Sequence, residues 1–565
     1  MNNLKTPYMN NKTPFLEYPR PLLKRDSYLN LNGKWDFKVF LKQEKIFSGE
    51  IIVPMPPESL ASMVNKRFNK KARLVYTKVF NLKKEFLNDI TLLNFGAVDN
   101  ICSVYINDQL VGEHIGGYLP FSFDISKFIK IGKNKIKVEV TDTTDINMCY
   151  GKQRIKRGGM WYTPISGIWQ TVFIESVPKN YIKNIKITPS LKDVTISLDG
   201  GEKKSRVIIY KGEKIIEKNF ISKTKIAIKD PKLWTPESPE IYTLKIISGK
   251  DEVTSYFALR TIKIKSKPKP TLLLNNKPYF FNGLLDQGYF SDGIYTPFTE
   301  QGYKDDILKM KSLGFNMLRK HIKIEPQLFY YYCDIYGMAV FQDFVNCGKY
   351  NFFVDTALPT VGFKKGIRHF AKKQRKEHFY NTATKTTNIL YNHPSVVQYT
   401  IFNEGWGQFK DKNIYDYFKN IDPTRVYDTA SGWFYEEKSD FKSEHVYFKP
   451  IKLKEDGKKV LYLSEFGGYS YKIKEHSFNL KRTYGYKNFY SKEEFEKGLV
   501  SLYENEVLKG VSKGLSACVL TQVSDVEDET NGLLTYDRKV LKIRKDLLKP
   551  VFLKIEEEFN RVFKK

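Results

Sequence analysis

Eight apolar segments recur between residues 279 and 522, and each has the length of one β-strand. Most are uninterrupted apolar runs, as expected for parallel strands that are buried on both faces. Polar and helical stretches separate them; the stretches between the fourth and seventh segments leave room only for short helices. The pattern predicts a (β/α)8 barrel of about 300 residues. The segments are YFFNGLL, NMLRKHI, MAVFQDF, VVQYTIF, RVYDTA, EHVYF, VLYLSEF and SACVLTQ.

The part of the chain that precedes the barrel reads as β-structure throughout. Residues 1–176 contain short alternating segments such as NGKWDFKVF and NKIKVEV, which predict a jelly-roll sandwich. Within them, YINDQLVG predicts a hairpin that turns at Asn107 and Asp108. Residues 177–266 continue with regularly spaced strands and predict an immunoglobulin-like sandwich. The predicted fold is therefore multidomain, with the TIM barrel occupying residues 267–565.

Composition excludes several classes of protein. The chain has 93 Lys and Arg against 63 Asp and Glu, but the lysines are spread over its whole length, so a nucleic-acid partner is not expected. No apolar run approaches the ~18 to 20 residues that span a membrane. The five cysteines form no CxxC pair, and the N-terminal residues lack the apolar core of a secretory signal. Both features favour a cytoplasmic protein.

Two glutamates occupy the carboxyl ends of predicted barrel strands. Glu404 follows the fourth apolar segment, directly after Asn403, and Glu465 lies at the end of the seventh. Active sites of such barrels lie at this end, and a charge at the end of a buried strand is costly unless it has partners or a function. Two carboxylates that face one pocket can hydrolyse a glycosidic bond, one as a proton donor and one as a nucleophile.

Motifs along nearly the whole chain resemble those of glycoside hydrolase family 2, which includes β-galactosidases, β-glucuronidases and β-mannosidases. The N-terminal part carries YLNLNGKWDF and YTPISGIWQTVFIE, the middle part carries LWTPESPEIYTL and FALRTI, and the barrel carries FNEGWGQ and LSEFGG. The resemblance implies that Glu404 is the general acid/base and Glu465 the nucleophile. It also implies that Asn403 binds the sugar 2-hydroxyl and that Arg319 holds the nucleophile ionised.

Further substrate contacts are expected around these residues. Trp406 and Trp433 offer apolar faces to a sugar, and His445 and Tyr447 lie at the sixth strand. The Arg-x-x-His pattern of the family's second barrel strand reads Arg319-Lys320-His321 here, with the histidine one position early. The predicted sugar-binding residues are Asn403, Arg319, His321, Trp406, Asp286, Gln342, Asp343, Trp433, His445, Tyr447, Asp525 and Asn531.

Two departures from the family pattern affect which sugar we expect the protein to bind. Asp286 and Gln287 stand where many members have a basic residue and a histidine, and the Asn-x-Lys pair that marks β-glucuronidases is not visible after the eighth strand. We therefore expect a retaining exo-β-glycosidase with a β-galactoside as its first candidate substrate. A β-glucuronide, a β-mannoside or another glycoside remains an alternative, as does an inactive carbohydrate-binding protein. No cofactor or metal is expected, and a homo-oligomer stays open.

Overall fold

The computed structural model describes residues 3–563 except residues 11, 144, 361–362, 364–370 and 435. Its N-terminal part is an antiparallel sandwich, which confirms the predicted jelly-roll class. A six-stranded sheet of order β3-β2-β4-β10-β7-β8 packs on a four-stranded sheet of order β1-β12-β5-β9. The strands β1–β12 span Leu29–Asn30, Gly33–Leu41, Glu44–Val53, Ala72–Leu82, Ile90–Phe95, Val98–Asp99, Ile101–Ile106, Gln109–Ile115, Phe121–Asp124, Gly132–Thr141, Gly167–Ile168 and Val172–Val177.

The predicted hairpin joins β7 and β8. Asn107 and Asp108 both have positive φ angles, of 50° and 67°, as a two-residue turn of this twist requires. On one face of β2, Trp35, Phe37 and Val39 are buried, alternating with exposed polar residues. The alternation that predicted these strands therefore corresponds to one face on the core and one on solvent.

The middle part has seven antiparallel strands of order β13-β14-β17-β16-β15-β18-β19, folded so that the two edge strands β13 and β19 lie close together. Valines, isoleucines and leucines from these strands form one core. A small sheet, β20-β21-β22, leads into the barrel. The strands β13–β22 span Ile182–Pro189, Asp193–Gly200, Lys204–Lys211, Glu213–Ile221, Lys223–Ala227, Tyr242–Ser248, Asp251–Phe257, Ile262–Lys265, Thr271–Leu274 and Lys277–Pro278.

All eight predicted barrel strands are present and parallel, in the order β27-β26-β25-β24-β23-β32-β29-β28, and β27 packs beside β28 to close the ring. A two-stranded ribbon, β30-β31, follows β29. The described residues between β27 and β29 contain no helix, so the short helices expected there are replaced by loops. The strands β23–β32 span Phe281–Asp286, Met317–Lys320, Ala339–Asp343, Val396–Asn403, Val426–Ser431, Phe441–Val446, Val460–Gly467, Tyr469–Tyr471, Lys487–Phe489 and Leu515–Thr521.

Helices pack around the outside of the barrel. The first uses Tyr303, Ile307 and Met310 as its buried face and is followed by Gly314 at a φ of +97°, a conformation that glycine adopts readily. No helix among the described residues is long and apolar enough to cross a membrane. The α-helices α1–α8 span Gln301–Ser312, Gln327–Tyr336, Leu358–Thr360, Lys373–Leu390, Ile414–Ile421, Lys492–Leu502, Leu508–Ser512 and Lys549–Phe563.

Buried polar contacts join the middle domain to the barrel. Asp334 on α2 is fully buried and accepts hydrogen bonds from the Tyr256 hydroxyl on β19 (2.6 Å) and the Ser395 backbone N–H (2.8 Å). It also lies 2.7 Å from Nδ1 of His393. The Trp234 indole N–H donates to the backbone carbonyl of Asp334 (2.8 Å). These bonds fix the interface because each partner would be left unsatisfied without the others.

We expect Asp334→Ala to lower the free energy of unfolding by about 3 kcal/mol, since it leaves buried donors without their acceptor. Urea unfolding followed by tryptophan fluorescence measures the change. The matched control is Asp89→Ala, at an exposed aspartate of the N-terminal domain. Equal stability of the two variants would show that the buried network contributes nothing to the docking of the domains.

Candidate active site

Polar side chains collect at the carboxyl ends of six barrel strands. They follow or end otherwise apolar runs, so the strands hold them at one rim of the barrel. Arg319 and His321 come from β24 and the residue after it, Asp343 from β25, Asn403 and Glu404 from β26, Ser431 from β27, His445 from β28, and Glu465 from β29. The sequence predicted all of these except Ser431.

Arg319 is the centre of this group. Its side chain has no exposed surface, and its guanidinium donates hydrogen bonds to groups on four neighbouring strands. Such a buried cation is tolerable only because every donor direction meets an acceptor. The bonds run from Nε to Asp343 Oδ1 (3.0 Å), from Nη1 to Ser464 O (3.0 Å) and Glu465 Oε1 (3.0 Å), and from Nη2 to Asn403 Oδ1 (2.9 Å) and Ser431 Oγ (3.0 Å).

Glu465 is buried and ionised. Burial, the largest single effect, acts to raise the pKa of its carboxyl, but the opposing effects, led by His445 and Arg319, are together stronger. They lower the pKa of Glu465 to about 2. The Tyr447 hydroxyl donates a short hydrogen bond to Oε2 of Glu465, while Arg319 binds Oε1. Both oxygens are therefore held in fixed directions as a carboxylate.

Glu404 has a different environment. Its side chain is 15% exposed, three times the fraction of Glu465, so it is the more accessible of the two carboxyl groups. Its φ angle is +52°, in a region that non-glycine residues seldom adopt, and its backbone N–H donates to Ser431 O (3.0 Å). Nδ1 of His445 lies 2.8 Å from Oε1 of Glu404. The sharp change of direction after β26 thus turns this carboxyl toward the β28 side of the pocket.

The two carboxyl groups face each other across a short gap. An oxygen of Glu404, an oxygen of Glu465 and a nitrogen of His445 all lie within 4.8 Å of one another. The other ring nitrogen of His445, Nε2, is 3.6 Å from Glu465. Glu465 is held by a cation, whereas Glu404 is partly exposed. The two carboxyl groups therefore lie close together in different electrostatic environments.

The same three side chains are a group of convergent metal ligands among the described residues. Two carboxylates and an imidazole suit a divalent cation of the first transition row. Glu465 is also bound by Arg319, which is shared with Asp343.

His321 and Asp343 form a second layer beneath Arg319. Nδ1 of His321 lies 2.8 Å from Oδ2 of Asp343. Burial, the largest effect, lowers the pKa of His321, so this imidazole is neutral at neutral pH. Burial alone would raise the pKa of Asp343, but Arg319 and His321 lower it below its usual value. An ionised Asp343 therefore orients both neighbours.

Aromatic rings line the rim. Trp406 is 3% exposed, its indole N–H donates to Gly348 O (2.8 Å), and it packs edge-on against Trp161 of the N-terminal domain at 4.8 Å between centroids. Trp433 packs edge-on against His445 at 5.5 Å. Tyr447 stacks on Tyr486 at 3.9 Å between centroids. The two predicted tryptophans are therefore both at the rim, and both contribute to its packing.

Four predicted sugar contacts have hydrogen-bond or ion-pair partners within the protein. Each is buried, and their role as sugar contacts stays a prediction. Asp286 Oδ2 pairs with Lys320 Nζ (2.6 Å), Gln342 Oε1 accepts from Tyr330 OH (2.6 Å), Asp525 Oδ1 pairs with Lys542 Nζ (2.6 Å), and Asn531 Oδ1 accepts from Gln522 Nε2 (2.8 Å).

Several residues at the rim had no part in the sequence predictions. Ser431 could have been found, because it is a polar residue that ends a predicted apolar strand. Trp161 and Tyr486 could not, because one lies in the N-terminal domain and the other in the loop after β29. Nothing in their local sequence signals that the fold brings them to the barrel.

Three family models match consecutive parts of the chain. The model described as "Glycosyl hydrolases family 2, sugar binding domain" matches residues 57–178, and "Glycosyl hydrolases family 2" matches residues 176–260. The model "Glycosyl hydrolases family 2, TIM barrel domain" matches residues 262–451. Together they cover well over half of the chain, which belongs to glycoside hydrolase family 2.

Relatives and solved structures agree with this family. The chain is 26% identical over 382 residues to a putative β-glucuronidase of Formosa agariphila, covering 63% of this chain and 34% of that protein. It is 24% identical over 386 residues to a β-galactosidase of Priestia megaterium, covering 62% of this chain and 36% of that protein. The chain therefore spans about a third of the length of these curated relatives.

The fold also matches a solved structure over nearly its whole length. The β-D-glucuronidase of Dictyoglomus thermophilum superposes with a TM-score of 0.74, covering 96% of this chain and 98% of that chain. The sequence identity is 19%, so the likeness establishes the shared architecture of the two chains.

The pKa of Glu465 predicts a pH-dependent stability. Because its folded pKa is about 2 and the ordinary value is 4.5, the ionised group stabilises the fold above about pH 4.5. This contribution is lost as pH falls toward 2. We expect the stability difference between the wild type and Glu465→Gln to shrink by about 2 kcal/mol between about pH 5 and about pH 3.

Urea unfolding at these two pH values measures the difference. Glu44→Gln, at an exposed glutamate, is the control and should show almost no dependence on pH over this range. A constant difference between the wild type and Glu465→Gln would mean that Arg319 and His445 do not depress this pKa.

Proposed function

We propose that this chain is a retaining exo-β-glycosidase that removes a terminal non-reducing sugar by double displacement at Glu465 and Glu404. The short separation of the two carboxyl groups carries the proposal. Retaining glycosidases hold their carboxyl groups about 5 to 5.5 Å apart, whereas inverting enzymes need about 6.5 to 9.5 Å to admit a water molecule. The gap of less than 4.8 Å between oxygens supports the retaining case.

The first step forms a covalent intermediate. A carboxylate oxygen of Glu465 attacks the anomeric carbon while the bond from that carbon to the glycosidic oxygen breaks. Glu404, in its protonated form, gives its proton to the departing oxygen. The pKa of about 2 keeps Glu465 ionised for this attack. The partial exposure of Glu404 is compatible with its contact with a leaving group at the pocket entrance.

The second step releases the sugar. Glu404, now ionised, takes a proton from a water molecule whose oxygen attacks the anomeric carbon, and Glu465 leaves as a carboxylate. The Arg319 guanidinium and the Tyr447 hydroxyl stabilise that returning charge. His445, placed between both carboxyl groups, fixes the position of Glu404 in both steps.

Asn403 is arranged to bind the sugar. Its Oδ1 accepts hydrogen bonds from Arg319 and from Ser431 Oγ (2.8 Å), so its amide group is oriented with Nδ2 free of acceptors among the described residues. The NH₂ group is therefore available to a sugar hydroxyl next to the anomeric carbon. Such a contact strengthens as positive charge develops on the sugar ring.

The proposed glycone follows from the named relatives and from one sequence motif. A β-galactoside is the first candidate, in line with the β-galactosidase of Priestia megaterium. A β-glucuronide is the main alternative, because the Formosa and Dictyoglomus proteins carry that name. Against the glucuronide, the Asn-x-Lys pair that marks β-glucuronidases is not visible after the eighth barrel strand.

The nucleophile is tested by Glu465→Gln. We expect a panel of nitrophenyl glycosides (β-galactoside, β-glucuronide, β-mannoside, β-glucoside and α-L-arabinoside) to contain at least one substrate of the wild type. The variant should lose nearly all turnover of that substrate, because an amide cannot attack the anomeric carbon. Glu437→Gln, at an exposed glutamate, should keep wild-type rates. More than about a tenth of the wild-type rate in Glu465→Gln would contradict the assignment.

The acid role is tested by Glu404→Ala with two leaving groups. An alkyl glycoside needs a proton at its leaving oxygen, and its glycosylation rate should fall by about 10²- to 10⁴-fold. A dinitrophenyl glycoside needs almost no protonation and should lose less than about tenfold in that step. Glycosylation is separated from the later hydrolysis by the pre-steady-state release of dinitrophenol from one substrate and by the single-turnover release of the alcohol, followed by chromatography, from the other. Equal losses with both leaving groups would rule out Glu404 as the acid.

A further inference from the structure

Among the described residues, Lys152 is a largely buried residue whose ammonium group has no hydrogen-bond partner. Its side chain belongs to the N-terminal domain, and the residue is 7% exposed. Among the described residues, no acceptor is hydrogen-bonded to its ammonium group and no carboxylate forms an ion pair with it; its nearest recorded contact is the Trp161 ring, 5.5 Å away. The residue is nearly enclosed, but its Nζ is not one of the fully enclosed polar atoms that lack a hydrogen-bond partner. The ammonium group therefore reaches the surface with its donors available to a ligand.

The backbone fixes Lys152 at the mouth of the barrel. The preceding residue, Gly151, packs so closely on the loop after β24 that a Cβ atom would lie 3.1 Å from Ile322 O and 2.6 Å from Tyr118 OH. The carbonyl of Lys152 accepts a hydrogen bond from the Tyr162 backbone N–H (3.0 Å). Because Ile322 directly follows His321, the lysine lies beside the site that holds the carboxyl pair.

Glu529 approaches the same place from the loop after β32. Its Oε2 accepts hydrogen bonds from Tyr162 OH (2.7 Å) and Gln522 Nε2 (2.8 Å). No donor among the described residues binds Oε1. Thus Tyr162 contacts Lys152 through its backbone and Glu529 through its hydroxyl, which holds the two charged residues near each other without a direct ion pair.

Glu529 is also close to the nucleophile. Gln522, which binds it, follows Thr521, and Thr521 Oγ1 lies 3.3 Å from the Tyr447 hydroxyl that binds Glu465. The charges of Lys152 and Glu465 both act on Glu529. A donor and an acceptor with free bonding capacity thus lie at one edge of the carboxyl pair, contributed by different domains.

We propose that Lys152 and Glu529 bind the hydroxyl groups of an uncharged glycone, and so make the enzyme selective for neutral sugars over uronic acids. This inference rests on the proposed function and assigns its substrate class. A hydroxyl can accept from the ammonium of Lys152 and donate to Oε1 of Glu529, so adjacent hydroxyls satisfy both groups. A uronate carboxylate would satisfy Lys152 but face the Glu529 carboxylate, which is a repulsive contact.

The neighbouring buried cations leave little to offset that repulsion. Lys320 and Lys323 are both paired with Glu325, at 2.9 and 2.8 Å, and Lys320 also binds Asp286. Arg319 is committed to Asp343 and Glu465. Burial, the largest effect, raises the pKa of Glu529 to about 7. The charge of Lys152 acts in the opposite direction and favours the ionised form of the Glu529 carboxyl.

The test compares matched substrates that differ only at carbon 6. These are the nitrophenyl β-galactoside with the β-galacturonide, and the β-glucoside with the β-glucuronide. For at least one pair, we expect the wild type to prefer the neutral member by about tenfold or more in kcat/KM. Lys152→Met should lower kcat/KM for that neutral substrate by about 10- to 100-fold. Lys156→Met, at an exposed lysine of the same loop, is the control.

Glu529→Gln distinguishes selectivity from a merely structural role. It should lower kcat/KM for the neutral sugar and narrow the neutral-to-uronide ratio, because the repulsive charge is removed. A loss of equal size on both members would contradict the proposal, as would unchanged rates in both variants. A wild type that prefers the uronide would overturn this inference while leaving the retaining glycosidase intact.

A binding measurement keeps the inference independent of turnover. Calorimetry with Glu465→Gln compares D-galactose and D-glucose with D-galacturonate and D-glucuronate. Binding of a neutral sugar that disappears in the Lys152→Met/Glu465→Gln double variant supports the inference even if the wild type cleaves nothing, in which case the proposed function alone fails. Absence of both binding and cleavage would overturn both proposals. Circular dichroism confirms that each variant is folded.

Discussion

The buried guanidinium of Arg319 is the interaction on which the rest of the site depends. It is completely enclosed, and it bonds to residues of β25, β26, β27 and β29. Because a buried charge must be matched, those four strands can approach only in the register that brings their acceptors to it. The same cation that fixes the rim of the barrel keeps Glu465 ionised. Arg319 therefore contributes both to the packing of the barrel rim and to the ionisation of Glu465.

Pairing one carboxylate with Arg319 also makes the two glutamates unequal. Glu465 is enclosed and strongly stabilised as an anion, whereas Glu404 is partly exposed and bonded to His445. Chemically identical side chains can take opposite roles only if their environments differ in this way. The positive φ of Glu404 contributes, since it turns the carboxyl away from the direction that a continuing strand would give it.

The sequence predicted those features of the fold and site that depend on local residue patterns. All eight barrel strands appear where apolar runs occur, and the hairpin turn at Asn107 and Asp108 follows from turn chemistry. Glu404, Glu465 and Arg319 were predictable because strand ends in a barrel converge. The partners of Asp525 and Gln342 were not, since Lys542 and Tyr330 reach them through the tertiary fold. A polar residue at a strand end identifies a candidate, and only its neighbours decide what it binds.

The residues of the site that were hardest to predict are those that another domain brings to the barrel. Trp161 packs on Trp406, and Tyr162 binds Glu529, so a loop of the N-terminal sandwich forms part of the wall of the barrel pocket. Its position depends on close backbone packing at Gly151, which no side-chain pattern reveals. The pair of carboxyl groups lies within the barrel, but the surface that would meet the far side of a sugar in the proposed enzyme is shared between domains. The chemistry can therefore stay constant while the inter-domain loops determine which sugar is accepted.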